Sequence, residues 1–368
     1  MSLLSFFDGI SDPRDPKKID YPLINILFIS VAATLAGARI WQDMMDFGCA
    51  HQDWLAKHLD MSHGVPSRYT FRRLFLLIDH KKIEQAFINW TQTLSGDVEG
   101  CQIALDGKAL KGTRKKPLQI NELQFVSAWC EEKNIVLAQV ATSAKSNEIK
   151  AIPVLLDLLT IKGCLVSIDA AGCQQQIAAK IIEKGADYLL ALKRNQPTLH
   201  HTVERYLQQT VVPQVNPVHD KFEDGHGRCV RRRVFVAPIN EEIQQFGWEK
   251  LSSVIAIETI TDQTGKVSAE WRYYISSKPS TDTPFDGYIR HHWGVENKLH
   301  WMLDVHLGDD AHISQERNST LALSALKRVV LNLIRQHDLE KKSMRRKLLR
   351  ATWDIDYLEK IMLGSTIH

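Results

Sequence analysis

The sequence predicts an α/β protein: a mixed β-sheet flanked by helices, carrying a β-rich insertion and preceded by a small all-α domain. Three observations predict it. Residues 1 to about 95 show only helical periodicity, three short apolar runs separated by polar turns follow from about residue 100, and helix-like and strand-like segments then alternate. At 368 residues and 42.0 kDa the chain has room for one large domain and a smaller one. With 44% hydrophobic and 24% charged residues its composition is that of a globular protein and excludes a disordered one. The 46 basic residues barely exceed the 43 acidic ones, so a polyanionic partner has to be argued from where the charges sit.

The elements follow in order. "LINILFISVAATLAGA", Leu23 to Ala38, comes after the basic "DPKK" and imitates a signal peptide or a short membrane anchor. It is too short to span comfortably, carries Asn25, Ser30 and Thr34, and starts after some twenty mostly polar residues, so it reads as a buried helix. "WQDMMDFGCAHQDWLAKHL", "YTFRRLFLLI" and "KKIEQAFINWTQTL" continue the helical texture, with Ser67 as the cap of a run that begins near Tyr69 and Arg72 and Arg73 on its solvated face. The six cysteines are scattered without the paired spacing of a zinc site and read as reduced core residues of a cytosolic protein.

Next, "QIALDGKAL", "LQFVSAWCE" and "IVLAQVAT" read as an antiparallel meander. "EIKAIPVLLDLLTIKG" is a helix ended by Gly163, followed by the strand "CLVSIDA", the helix "QQQIAAKIIEKG" and the strand "YLLALK". Three strands followed by alternating helix and strand is the order of a ribonuclease H-like sheet. "RRRVFVA", "LSSVIAIETI" and "WRYYISS" form the β-rich insertion, at about residues 210–285, before a helix returns to the core.

Within this frame three acids stand out. Strand parity puts Asp106 on the same face as Ala104 and Lys108. Asp169 ends the strand "CLVSID", where capping of the next turn is the ordinary role for an acid. As a pair on adjacent strands the two make a candidate site. In "FDGYIRHHWGVENKLHWMLDVH" helical spacing puts Trp293, Glu296 and His300 on one face, with Arg290, Asn297 and Trp301 on the neighbouring one.

"IALDGK", "VSIDAAGCQ", "GADYLLALKRNQ", "HGR" and "HHWGVENKLHWMLDV" together resemble the motifs of the DDE transposases of bacterial insertion sequences, in their H-repeat-associated branch. The resemblance covers essentially the whole chain. It implies an amino-terminal associated domain at 1–95 and a catalytic domain at 96–368, and a DNA transposase that cleaves transposon ends and transfers strands into target DNA. It assigns metal binding and catalysis to Asp106, Asp169 and Glu296, with Mg²⁺, or Mn²⁺ in its place, as the cofactor. Two ions roughly 4 Å apart activate a water or hydroxyl and stabilise the leaving oxygen in such chemistry. A cytoplasmic, nucleoid-associated homodimer on DNA, with no membrane partner, is the form the resemblance implies.

For DNA contacts the candidates are Lys108, Lys193, Asn195, Gln196, His226, Arg228, Arg290, Asn297 and His300. Lys111 joins Lys108 for phosphate, and Gly107 and Gly112 leave room for close backbone approach. Trp293 and Trp301 offer stacking faces for an extruded base, although burial against the sheet is the ordinary fate of a tryptophan there. "LDVHLGDDAH" collects Asp304, His306, Asp309, Asp310 and His312, a competing metal cluster whose ordinary reading is solvated or capping groups. The chain also departs from related patterns. Where the broader group of insertion-sequence transposases has Tyr, Arg, Glu and Lys, it has Ile289, His292, Glu296 and Leu303, and Val230 stands where the branch often has an acid after "HGR". A nuclease without strand transfer and a catalytically silent DNA-binding protein are the alternatives compatible with the same residues.

Overall fold

The chain is described here from a computed structural model, which describes residues 3–114, 122–142, 148–225, 228–263, 266–281, 283–311, 316–338 and 340–364. Described residues up to Ser95 form helices and no strand. The helix Leu23–Leu35 is apolar on every side, and every residue from Asn25 to Leu35 is buried, as a helix without a polar face requires. Its hydroxyls are satisfied locally: Ser30 Oγ donates to the carbonyl of Ile26 (2.7 Å) and Thr34 Oγ1 to that of Ser30 (2.6 Å). Among the described residues no helix is long and apolar enough to cross a membrane. Ser67 caps the helix Arg68–Leu77 by accepting from the amide of Thr70, and Arg72 and Arg73 are exposed, both as expected.

These amino-terminal helices do not close a core of their own. Phe28, Leu74 and Phe87 share one apolar cluster with Val330, Leu358 and Met362 from the carboxy-terminal helices Arg317–His337 and Ile355–Leu363. The first and last parts of the chain are therefore buried against each other.

Among the described residues nine strands form one sheet: β1 (Gln102–Leu110), β2 (Leu123–Cys130), β3 (Ile135–Ala141), β4 (Leu165–Ile168), β5 (Asp187–Leu192), β6 (His219–Gly225), β7 (Arg228–Pro238), β8 (Ser253–Gln263) and β9 (Lys266–Ser276). Their order is β3-β2-β1-β4-β5-β9-β8-β7-β6. The meander β1-β2-β3 is antiparallel, while β4 runs parallel to both β1 and β5. The inserted strands lengthen this sheet instead of forming a separate layer, because β9 pairs antiparallel with β5. The helix expected to run to Gly163 ends at Leu158, and Gly163, at φ +74°, turns the chain into β4.

Both faces of the central strands are covered, which explains their near-continuous apolar runs. Ile103 and Leu105 of β1 pack beneath Leu155 and Ile177 of the helices Glu148–Leu158 and Gln175–Glu183, while Ala104 faces the helical cluster on the other side. Fully burying a side chain such as Leu105 contributes about 1.5–3 kcal/mol. The strand is thereby held rigid immediately before Asp106.

Candidate active site

The pairing of β1 with β4 matches Gln102 with Leu165 and ends with Leu105 opposite Ile168. The next residues are Asp106 and Asp169, so the register sets the two acids side by side just past the last β1–β4 pair, Asp106 in the middle of β1 and Asp169 directly after β4. Asp169 also does the ordinary thing: its Oδ1 accepts from the amides of Ala171 (3.1 Å) and Gly172 (3.4 Å). Glu296 arrives on the helix Phe285–Val295, which passes through a π turn at Glu296–His300 into the helix Trp301–Leu307. Single π turns inside α-helices are frequent at functional sites. The helix is pinned to the sheet at Gln102, whose Nε2 donates to the carbonyl of Tyr288 (2.8 Å), and at Ser167, whose hydroxyl meets His292 Nδ1 at 3.0 Å.

The result is a cleft of about 640 Å³ lined by Asp106, Asp169 and Glu296 together with Lys193, Arg272 and Trp293. Asp106, Glu296 and His300 each present a ligand atom, all within 4.8 Å of one another. Burial, then the charges of Asp169 and Glu296, push the Asp106 carboxyl up to about 7, against a hydrogen bond from the Gly107 amide. His292 and His300 are both driven down by burial, to about 4 and about 3, and so are neutral imidazoles.

A fourth acid adjoins the site and was not legible in the sequence. Glu148 opens its helix, and a Cβ on Gly107 would collide with its carboxylate. Gly107 therefore makes room for Glu148, not for a substrate backbone. Burial and Asp169 push the Glu148 carboxyl above its ordinary value, and its charge adds to the pressure on Asp106. An acid in the first helical turn favours the helix dipole anyway, so nothing in its spacing marks it out. The cleft wall from β9 was also missed. Glu270, Arg272 and Tyr274 alternate at period two on one face of that strand, which is the signal that finds them.

Several expected DNA contacts have other partners. Lys108 is buried and ion-paired with Asp304, with Asp309 Oδ2 at 3.5 Å, so it is not available to phosphate. Asp309 is fully buried against Arg328 (3.3 Å) and Lys327 (3.8 Å). In "LDVHLGDDAH", Asp304 and Asp309 are thus counter-ions for buried cations, Asp310 Oδ1 accepts from the Lys111 amide (3.2 Å) as a capping group does, and His312 lies outside the described residues. His300 is buried as well and cannot reach a DNA strand. Asn195 Nδ2 donates to the carbonyl of Ala170 (2.6 Å) and Gln196 Nε2 to that of Cys173 (3.0 Å), which ties their loop to the turn after Asp169.

Lys193, Arg290 and Asn297 are exposed, Arg290 with Glu223 at 3.5 Å. Lys111 is exposed too. His226 lies outside the described residues, and Arg228 is described only as part of the β7 backbone. The basic run beyond it is largely neutralised: Arg231 pairs with Asp220, Arg232 with Glu223 and Arg233 with Glu258. Trp293 and Trp301 are half exposed, at 48% and 49%, not buried against the sheet, and the Arg272 guanidinium lies 5.2 Å from the centre of the Trp293 ring. Of the six cysteines, Cys49 and Cys229 are exposed, contrary to the core reading. Cys101, Cys130 and Glu132 do approach within 4.8 Å, but burial pushes the Cys130 thiol up to about 12, away from the thiolate a metal needs.

The family model for the transposase DDE domain matches residues 97–333, and that for the DDE-transposase-associated region matches residues 4–91. The chain belongs to the DDE transposase family. Its likeness to the H-repeat-associated branch holds too: YhhI of Escherichia coli K12, named as an H repeat-associated transposase, is 34% identical over 99% of this chain and 98% of its own length. YncI of Escherichia coli O157:H7, also named as a transposase, is 38% identical over 98% of this chain and 94% of its own length. A short K12 relative named inactive transposase YbfQ is 34% identical over 20% of this chain. Among solved structures, a piggyBac transposase in a synaptic complex with hairpin DNA aligns over 98% of this DDE transposase and 76% of its own chain, with a TM-score of 0.47 and 11% identity.

The donor set fits a divalent cation. Carboxylates that are far apart in sequence converge in one cleft, and the cost of burying Asp106 there, together with the repulsion of Asp169 and Glu296, pushes its carboxyl up to about 7. A cation among them would remove that cost.

Proposed function

We propose that this DDE transposase is catalytically competent, with Asp106, Asp169 and Glu296 holding two divalent ions, Mg²⁺ or Mn²⁺. The observation that carries the reading is the register of β1 with β4, which sets the two aspartates side by side just past the last β1–β4 pair, in one cleft with Glu296. When bound, such ions supply polarisation of phosphoryl oxygens and activation of a water or hydroxyl nucleophile. The protein's own part is positioning. Asp106 and Asp169 are fixed by a strand buried on both faces, and the contacts from Gln102 and Ser167 set the distance from Glu296 to them.

Water attack at the element's ends comes first, and attack of the freed 3′ hydroxyl on target DNA follows, both at the same acids. Lys193 and Lys111 offer charge to phosphate, giving affinity that is salt-sensitive and indifferent to sequence. Trp293, half exposed at the cleft wall, offers a stacking face for a base displaced at the cut. We also infer a ribonuclease H-like catalytic unit at 96–368 with its β-rich insertion, a helical unit at 1–95, and a homodimer joining two transposon ends at the nucleoid in the cytoplasm.

The test is incubation of the protein with labelled end DNA and target DNA in Mg²⁺ or Mn²⁺, beside Glu296→Gln. Joined product that needs both metal and Glu296 is the expected result. Nicking without joining returns the reading to a nuclease, and salt-sensitive binding without cleavage to a catalytically silent DNA-binding protein.

A further inference from the structure

We infer that His300 is a fourth ligand of this metal site, which then presents two aspartates, a glutamate and an imidazole. The inference rests on the metal reading above and deepens it. His300 closes the π turn that Glu296 opens, so one widened helical turn delivers both side chains over Asp106. Its Nδ1 lies 3.7 Å from Asp106 Oδ2, beyond hydrogen-bond range. Its Nε2 is buried and has no hydrogen-bond partner among the described residues.

A histidine that is only 5% exposed ordinarily has its ring nitrogens satisfied; an ion between Nδ1 and Asp106 would engage the nitrogen that faces the acids and leave Nε2 as the protonated one. Two donors on one ion, each at about 2.1 Å, stand roughly 3 Å apart when adjacent and about 4.2 Å apart when opposite. The 3.7 Å between Nδ1 and Asp106 Oδ2 comes to the adjacent spacing when the two side chains close by roughly 0.7 Å. The charges of Lys108 and Arg328 lie close enough to bear on the ring. Those charges do not repel a cation unopposed: Lys108 is matched by Asp304 and Asp309, and Arg328 by Asp309.

An imidazole in the donor set moves preference from Mg²⁺, which is served by oxygen, towards Mn²⁺ and the later transition metals. The site is therefore more selective for Mn²⁺ over Mg²⁺ with His300 than without it.

Pulsed electron paramagnetic resonance of the full-length protein loaded with Mn²⁺ tests this directly, through the ¹⁴N coupling of a ligating imidazole. Wild type shows the coupling. His300→Gln and His300→Ala lose it while still binding Mn²⁺ through the carboxylates, with affinity lower on the order of ten-fold and a smaller Mn²⁺-to-Mg²⁺ affinity ratio. Mn²⁺ bound in an Asp106-dependent way without nitrogen coupling overturns the inference and leaves the carboxylate site standing. Coupling that persists in both His300 variants assigns it to another imidazole, such as that of His292, and overturns it equally. Absence of any Asp106-dependent Mn²⁺ binding in wild type overturns the metal reading and this inference together.

Discussion

Two charged regions meet along β1, and they are built in opposite ways. At Asp106 the carboxylates of Asp169, Glu296 and Glu148 gather with no buried cation among the described residues acting on it, and burial and these charges push the Asp106 carboxyl up to about 7. Two residues further on, Lys108 enters a cluster where Asp304 and Asp309 are matched by Lys108, Lys327 and Arg328. In the sequence the second region is the acid-dense one and the first is scattered. Density of acids along a chain therefore says little about a metal site; what marks one is acids brought together in space without compensation.

The comparison is broken most decisively by removing a charge from each region. Asp106→Asn reduces end cleavage to background while sparing DNA binding, and raises the melting temperature of the metal-free protein at about pH 8, because a repelled buried charge is gone. Retained cleavage, with folding confirmed by circular dichroism, would end the assignment. Lys108→Met acts in the opposite sense. It leaves Asp304 without its cation, while Asp309 keeps Arg328 and Lys327, and costs about 1–3 kcal/mol of stability by urea unfolding, as stranding a partly buried polar group does. Part of that loss returns in the double variant with Asp304→Asn.

A pH series sharpens the contrast. The folded value of Asp106 lies above its ordinary 3.8, at about 7, so between those values the native state holds more protons than the unfolded one. Its contribution to metal-free stability is thus fully present below about 4 and lost as pH rises through about 7. A cation replaces that proton, so the stabilisation by saturating Mg²⁺ grows over the same window. Melting temperatures with and without Mg²⁺ from about pH 5 to 8 check this, and a constant gap would contradict it. Glu148→Gln shifts the midpoint of that growth downward by a fraction of a pH unit, because one of the charges acting on Asp106 is gone. The smallest effect is that of Lys193→Ala: stability changes within about 0.5 kcal/mol, while the slope of log affinity for end DNA against log salt becomes shallower by about one.

Local physics was well legible. The all-round apolar run at Leu23–Leu35, the Ser67 cap and the parity of β1 follow from periodicity and capping within a few residues. The adjacency of Asp106 and Asp169 followed from the order of strands and helices, and the family motifs pointed to Glu296. Other features left no local trace. Glu148 looks like any acid at a helix start, Trp293 looks like any core tryptophan, and His300 shares its spacing with a DNA contact. The pairing of β5 with β9, which makes one sheet out of core and insertion, joins segments with no pattern in common.

Taken alone, the sequence determined which segments become helix or strand and which acids they carry, because those outcomes depend on neighbours within one or two turns. Only the tertiary structure decided which charges are compensated. Lys108 meets Asp304 across 196 residues, and whether a carboxylate keeps its charge, shares a metal or neutralises a lysine depends on burial and on partners that only folding brings within a few ångströms.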